Sequence, residues 1–216
     1  LVFSDIHGRT EGFSSLADIA AEADAVVVNG DLTHFGGASD ALEVISALRP
    51  LHTRIYAVPG NCDNTDVAST ISFEGIGIDG LSVRLAAAPG AEGETEDPLL
   101  YGIGGALPGP VSTPNEYSED ELRGLLAAVP GPEKAPLLLV CHQPPHKTVA
   151  DRAMRVKHVG SRVLREWMET HAPLLILTGH IHESHGYDWY GKTCVVNPGA
   201  FKEGRYAEIE LDARSR

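Results

Sequence analysis

Five short apolar runs in this chain each end abruptly on a side chain that can bind a metal ion, and that recurrence limits the fold more than any other feature. Val2-Phe3-Ser4 runs into Asp5 and His7, and Val26-Val27-Val28-Asn29-Gly30 into Asp31. Tyr56-Ala57-Val58-Pro59-Gly60 leads to Asn61, and Leu138-Leu139-Val140-Cys141 to His142. Leu175-Ile176-Leu177-Thr178-Gly179 ends in His180 and His182. Runs this short and this uniformly apolar read as strands buried on both faces of a parallel sheet. Ligands of such sheets gather at the carboxyl ends of strands, so the seven side chains are expected to converge. The glycines before Asp31, Asn61 and His180 permit tight turns and close backbone approach.

Between these runs lie helical patterns. Phe13, Leu16, Ile19 and Ala20 mark one face of a helix near Glu11 to Glu22, and Ser39 is placed to N-cap a helix to about Leu48. Gly75 to Ala87 alternates around Asp79-Gly80 and predicts a hairpin. Ser118 with Glu121 forms a capping box for a helix to about Val129, and Ser161 caps another to about Thr170. A long polar loop is expected from His142 to about Val159. Strands are expected near Gly186 to Tyr190, Thr193 to Val196 and Tyr206 to Leu211. With 216 residues and no repeat or linker, the chain is expected to form one domain over 1–216.

Charge narrows the partners. Seventeen Lys and Arg against thirty Asp and Glu leave a formal charge of -13, which argues against a nucleic-acid polymer as partner. No apolar run approaches the roughly 20 residues that span a bilayer, so no membrane association is expected. The chain opens directly on a strand, with no basic leader or cleavage site. Three widely spaced cysteines, Cys62, Cys141 and Cys194, make no disulfide framework and suit a reducing cytoplasm.

The donor set is chemically coherent. Two carboxylates, four imidazoles and an amide oxygen form a mixed N/O shell that suits Mn, Fe, Ni or Zn rather than calcium. Seven donors exceed what one transition ion takes. With one carboxylate shared, they suit two divalent ions about 3.5–4 Å apart, the spacing of a two-metal hydrolase.

Asp5-Ile6-His7, Gly30-Asp31, Gly60-Asn61, His142 and Gly179-His180-Ile181-His182 resemble, in order, the motifs of the calcineurin-like metallophosphoesterases, and Asn197-Pro198-Gly199 is similar to theirs too. The resemblance spans nearly the whole chain. It implies a four-layer α/β/β/α sandwich, two mixed β-sheets flanked by helices. It also implies that Asp5, His7, Asp31 and His182 hold one metal, and that Asp31 as the bridge, with Asn61, His142 and His180, holds the other. Many members have a His after the Asn, implied to protonate the leaving group; here Cys62 stands there, followed by Asp63. This Gly-Asn-Cys-Asp form resembles small microbial phosphodiesterases, and His142-Gln143-Pro144-Pro145 with Gly160-Ser161 is similar to the class III cyclic-nucleotide phosphodiesterase branch. The function so implied is a dinuclear phosphodiesterase acting on a small phosphodiester, a nucleotide among the candidates, by in-line attack of a metal-bridging hydroxide. A phosphomonoesterase on the same site and a non-catalytic metal-binding scaffold are the alternatives.

Several residues around the motifs carry expectations of their own. Arg9 reads as a phosphate contact or a solvated loop residue, and His34 as a replacement acid, a partner to the ligands or a structural histidine. His146, Lys147, Arg152, Arg155, Lys157 and His158 form the most basic stretch, either a substrate lid or a solvated face. The loop Gly104 to Tyr117 is a candidate pocket wall, with Asn115 and Tyr117 as base or sugar contacts, or a plain surface connection. Leu107 and Val111 hint at a contact between chains.

Overall fold

The computed structural model describes residues 1–85, 97–131 and 135–211. Its first sheet contains β1 (Val2–Phe3), β2 (Val26–Asn29) and β3 (Ile55–Val58), side by side in that order and parallel. Among the described residues, antiparallel character enters this sheet at the isolated bridge between Val2 and Ala207. The helices α1 (Ala17–Glu22), α2 (Ala38–Leu48) and α3 (Thr65–Phe73) belong to this half.

The second half is a six-stranded sheet. Its core is four parallel strands: β5 (Leu99–Ile103), β6 (Leu137–Cys141), β9 (Leu175–Leu177) and β11 (Thr193–Asn197). Antiparallel β4 (Ser82–Arg84) and β10 (Gly186–Tyr190) close its two edges. Two helices, α4 (Glu119–Ala127) and α5 (Arg162–His171), pack with it. A two-stranded ribbon, β7 (Arg152–Ala153) and β8 (Lys157–His158), stands apart.

Alternation along the strands decides the packing. Val26 and Val28 join a cluster with residues of α1, α2 and α3, whereas Val27 faces a cluster drawn from both sheets. In β6, Leu137, Leu139 and Cys141 pack with Leu122, Leu164 and Trp167 of the helices, and Leu138 and Val140 join the shared cluster. A strand with both faces covered needs apolar residues at every position, hence the continuous runs.

Four local expectations are corrected. The helix near Glu11 to Glu22 starts later, after a 3-10 turn over Phe13–Leu16 in which Phe13 stacks on Phe201 at 4.4 Å between centroids. Ser39 lies inside α2 rather than at its cap. The first-turn N–H groups of Gly37 and Ala38 instead donate to the carboxylates of Asp40 and Asp66, both at 3.0 Å. No hairpin forms around Asp79-Gly80: Ile76 to Ile78 runs beside β3, and the chain then crosses to pair β4 with β5. Ile76 and Ile78 enter different core clusters there, and burying both outweighs a local turn. Ala86 and Ala87 lie outside the described residues. Tyr206 to Leu211 makes the single bridge at Ala207 instead of a strand.

The polar stretch after His142 is also more ordered than a loop. Asp151, fully buried, accepts from the N–H groups of Lys147, Thr148 and Gly160 and lies 2.6 Å from His158 Nδ1. Capping by Ser118 and Ser161 is as expected.

Candidate metal centre

Three of the five strand ends deliver polar residues through an unusual backbone. Asp5, His7, Asp31 and His180 all have positive φ, between 50° and 66°. Non-glycine residues pay for that conformation with roughly 1–3 kcal/mol each, and Asp and His tolerate it better than most. The left-handed turn swings the side chain off the strand axis toward its counterparts. Asn61 and His142 are not among these residues.

Neighbouring loops then zip together. Asp5 N–H donates to Gly30 O at 3.1 Å, His7 N–H to Asp31 O at 2.9 Å, and Gly179 N–H to His142 O at 3.2 Å. The approach is so close that a Cβ on Gly60 would lie 2.0 Å from Asp31 Oδ1, and one on Gly179 1.9 Å from Ser4 Oγ. These glycines therefore serve close approach, as the sequence suggests.

All seven strand-end side chains come together in two groups. In one, His7 Nε2 lies 3.3 Å from His182 Nε2, and His182 Nε2 lies 3.0 Å from Asp5 Oδ1. In the other, Asn61 Oδ1 is 3.1 Å from His142 Nε2 and 2.7 Å from His180 Nδ1. Asp31 stands between them, its Oδ2 3.5 Å from His7 Nε2 and its Oδ1 3.6 Å from His142 Nε2. Three triads with metal-binding geometry overlap here: Asp5-His7-His182, His7-Asp31-Cys62 and Asp5-Asp31-His142.

The hydrogen-bonding pattern tests whether these residues suit cations. His142 Nδ1 is 2.8 Å from Asn29 O, a carbonyl that can only accept, so Nδ1 carries the proton. In the neutral ring that a metal requires, the lone pair of His142 Nε2 points at Asn61 Oδ1, another acceptor. His7 repeats the pattern, with Nδ1 against Thr33 O at 3.2 Å and Nε2 aimed at His182 and Asp31. Acceptors converging on acceptors repel unless a positive charge lies among them. The donor set fits divalent cations.

Electrostatics agree. Burial pushes Asp31 up to about 6, partly offset by His142 and reinforced by Asp5 and Asp63. Burial also works against the charge of Asp5, but the hydrogen bond from His182 and the charges of His142 and His182 hold it below the usual carboxylate range. Burial lowers His7 to about 4 and His180 to about 3, so both imidazoles are neutral and free to ligate at neutral pH. His182 is drawn down by burial yet ends above its ordinary value through its bond to Asp5. Burial and Asp31 raise the Cys62 thiol, so it is no thiolate and no cation.

Residues outside the strand-end motifs hold the centre in shape. Asp63 is fully buried and accepts from Gly60 N at 2.7 Å, Leu32 N at 3.1 Å, Thr33 N at 2.8 Å and Thr33 Oγ1 at 2.8 Å. It ties the Asp31 loop to the Asn61 loop. Ser4 Oγ lies 2.6 Å from Asp5 Oδ2, and Asn197 Nδ2 donates to Ile181 O at 3.0 Å. Sequence offered no periodicity for Asp63 or Ser4; their partners are set by the meeting of distant loops.

The remaining candidates fall around this centre. The ring of His34, exposed, sits edge-on to His7 at 5.4 Å between centroids. Arg9 is exposed and shares a cleft of about 260 Å3 with Lys202, Phe201 and Tyr206. Of the two candidates for base or sugar contacts, Tyr117 is buried with its hydroxyl engaged, whereas Asn115 is half-buried and engages its amide N–H. Asn115 Nδ2 donates to Gly60 O, and the buried Tyr117 hydroxyl donates to Gly105 O. Of the basic stretch, His146 and His158 turn inward to Asp151, whereas Arg152, Arg155 and Lys157 are exposed. The ribbon docks beside His182, with Arg152 N–H donating to Ser184 Oγ and Met154 N–H to Glu183 Oε1.

Comparison with known proteins identifies a family over most of the chain. The family model described as Metallophos, calcineurin-like phosphoesterase, matches residues 1–184. The uncharacterised protein MJ1162 of Methanocaldococcus jannaschii is 34% identical over 199 residues, covering 90% of this chain and 85% of its own. Among solved structures, TT1561 of Thermus thermophilus superposes with a TM-score of 0.69 at 20% identity, over 94% of this chain and 90% of that one. A dimetal phosphatase from Danio rerio gives 0.61 at 12% identity, over 94% and 87%. The two structural likenesses show a shared mixed α/β fold.

Proposed function

This chain belongs to the calcineurin-like phosphoesterase family, and we propose that it is a hydrolase of small phosphodiesters with two divalent transition ions, Mn, Fe, Ni or Zn, at the centre described above. Asp5, His7, Asp31 and His182 would hold one ion; Asp31, Asn61, His142 and His180 would hold the other. The observation that carries this reading is the position of Asp31, whose two carboxylate oxygens face His7 and His142 on opposite sides at 3.5 and 3.6 Å. Bound ions would polarise the phosphoryl group and lower the pKa of a coordinated water.

The chain's own residues do the rest. Cys62 N–H donates to Asp31 Oδ1 at 2.8 Å and fixes the direction of the shared carboxylate. His142 is oriented by Asn29 O and His7 by Thr33 O, which leaves each Nε2 directed inward. His34 lies edge-on to His7, where an imidazole suits proton transfer, and Arg9, two residues after His7, lines a cleft with Lys202 where a guanidinium suits a phosphate oxygen. The raised thiol of Cys62 cannot act as a cationic acid, which favours esters whose leaving group needs little protonation. The likeness of Gly60-Asn61-Cys62-Asp63 to small microbial phosphodiesterases supports a diester over a monoester substrate.

Three further features bear on setting. Among the described residues no helix is long and apolar enough to cross a membrane. Cys62, Cys141 and Cys194 are free thiols, which supports a reducing compartment such as the cytoplasm. The net charge of -13 disfavours polymeric nucleic acid as substrate.

The test uses metal-stripped protein reloaded with Mn2+, Ni2+ or Zn2+ in turn, with bis-p-nitrophenyl phosphate and p-nitrophenyl phosphate as substrates and Asp31→Asn as the blank. Metal-dependent turnover that favours the diester and vanishes in Asp31→Asn is expected. Preference for the monoester would make the protein a phosphatase. Two bound ions without turnover would leave a scaffold.

A further inference from the structure

The cleft of about 260 Å3 that holds Arg9 lies between the segment after His7 and the 3-10 turn Phe201–Glu203 that follows β11. Its floor is fixed by aromatic packing: Phe201 stacks on Phe13 at 4.4 Å and meets Phe3 edge-on at 5.0 Å between centroids. The same turn is tied to the strand-end centre. Phe201 N–H donates to Ser4 O at 2.8 Å, and Lys202 N–H donates to Asp5 O at 3.4 Å. The Lys202 ammonium is felt at that centre, where its charge works against protonation of both His7 and His182.

Three polar groups of this cleft stand without partners. Thirty carboxylates outnumber the seventeen Lys and Arg, so partners for a cation are plentiful in this chain. Arg49, Arg123, Arg165 and Arg205 each pair with a carboxylate. Among the described residues the Arg9 guanidinium, the Lys202 ammonium and the Tyr206 hydroxyl have no hydrogen-bond or ion-pair partner, and all three residues line this one cleft. Glu203, next to Lys202, is turned to Arg205 at 3.5 Å. Glu11 is the one carboxylate among the lining residues.

We propose that this cleft binds a second phosphate of the substrate, so that the preferred substrate is a small phosphodiester that also carries a terminal phosphate. The diester is cleaved at the strand-end centre and the terminal phosphate is held in the cleft; the assignment rests on the phosphoesterase reading of that centre. A guanidinium donates two parallel N–H bonds to a phosphate, an ammonium adds a compact charge, and a phenol hydroxyl donates to a remaining oxygen. A terminal phosphate carries about −1.5 to −2 charges near neutral pH, and a chain of net charge -13 accepts it only where cations are left unpaired. Glu11 opposes the two cations with a single charge. The volume falls below the roughly 300–1,000 Å3 of clefts that enclose a drug-sized ligand, which suits one end of a substrate rather than all of it.

The test compares p-nitrophenyl alkyl phosphates whose flexible alkyl chain, in a series of lengths, ends either in phosphate or in hydroxyl, on Mn2+-loaded protein. At the length that reaches the cleft, the phosphate end lowers KM by about tenfold relative to the hydroxyl end. That advantage disappears in Lys202→Met and grows severalfold in Glu11→Gln, a gain that damage to the fold would not produce. Both variants keep the wild-type urea midpoint. A second readout needs no turnover: inorganic phosphate, added to metal-free and to Zn2+-loaded protein, shifts the NMR signals of the Gly12 and Gly204 amides saturably in both forms, and Lys202→Met weakens this binding. No advantage at any chain length, or an advantage unchanged in both variants, overturns the proposal. Phosphate binding without an advantage in KM overturns it as well, since the cleft would then serve no part of the substrate. Saturable amide shifts with no turnover of any ester remove the phosphoesterase reading and the substrate assignment with it, whereas turnover without shifts or advantage removes the second-phosphate site alone.

Discussion

Replacing Asp63 by Asn should damage the centre without touching any residue expected to ligate. The carboxylate receives four hydrogen bonds: Oδ2 from Gly60 N and Leu32 N, Oδ1 from Thr33 N and Thr33 Oγ1. An amide oxygen can keep the Thr33 pair. The amide nitrogen then faces two N–H donors and satisfies neither. Each buried donor left without a partner costs roughly 1–3 kcal/mol. Removing a charge whose burial already pushes its pKa up offsets part of this, so about 2–4 kcal/mol is expected. Against a total stability of about 5–15 kcal/mol the fold survives. The Asp31 and Asn61 loops, no longer clipped together, separate, and metal affinity falls about 10–100-fold, as for other residues that orient ligands. Urea denaturation of metal-free protein reads the first effect, and calorimetric titration with Zn2+ reads the second. An unchanged urea midpoint together with unchanged affinity would refute the claim that Asp63 holds the loops.

Other perturbations probe the same geometry from different sides. Gly60→Ala places a methyl group 2.0 Å from Asp31 Oδ1 and 2.1 Å from Asp31 N, so the loop must shift; metal binding by calorimetry should be lost, and wild-type affinity would show that close approach is dispensable. Metal affinity should also depend on pH with a definite sign. The carboxylate of Asp31 binds metal only when deprotonated, and burial raises it to about 6. Affinity should therefore stay nearly level above about pH 7 and fall about tenfold per unit below pH 6, with His182 adding in the same direction through its raised pKa. Affinity flat down to pH 5 would contradict the raised Asp31. Arg9→Ala and Lys202→Ala, which line one cleft, should each raise KM by a few-fold, about 1 kcal/mol or less for an exposed charge, with kcat little changed. A fall in kcat at constant KM would instead give Arg9 a role in the transition state.

What could be read in advance and what could not divides along a physical line. The strands were legible because a strand buried on both faces tolerates only apolar residues, so Val26 to Val28 and Leu137 to Val140 announce themselves. The caps Ser118 and Ser161 were legible because their partners lie three residues away. The hairpin at Asp79-Gly80 and the cap at Ser39 failed for the converse reason. Ile76 and Ile78 gain more from β3 than from their own neighbours, and the N–H groups at the start of α2 are met by Asp40 and by Asp66 from another helix.

The sequence by itself determined which side chains stand at strand ends, since strand length and polarity are local properties. It therefore determined the chemistry on offer: carboxylate, imidazole and amide donors spaced by parallel strands. Tertiary structure alone decided how they meet. Positive φ at Asp5, His7, Asp31 and His180 turns the side chains inward, and Asp31 comes to face both His7 and His142. Only the folded chain sets Asp63 beneath the two loops, buries the Tyr117 hydroxyl against Gly105, ties Asn115 to Gly60, and lays the 107–113 loop beside Asn61. These are relations between segments far apart in the chain, made by hydrogen bonds in which one partner is a backbone group that every residue carries alike, and so that partner leaves no mark in the order of the residues.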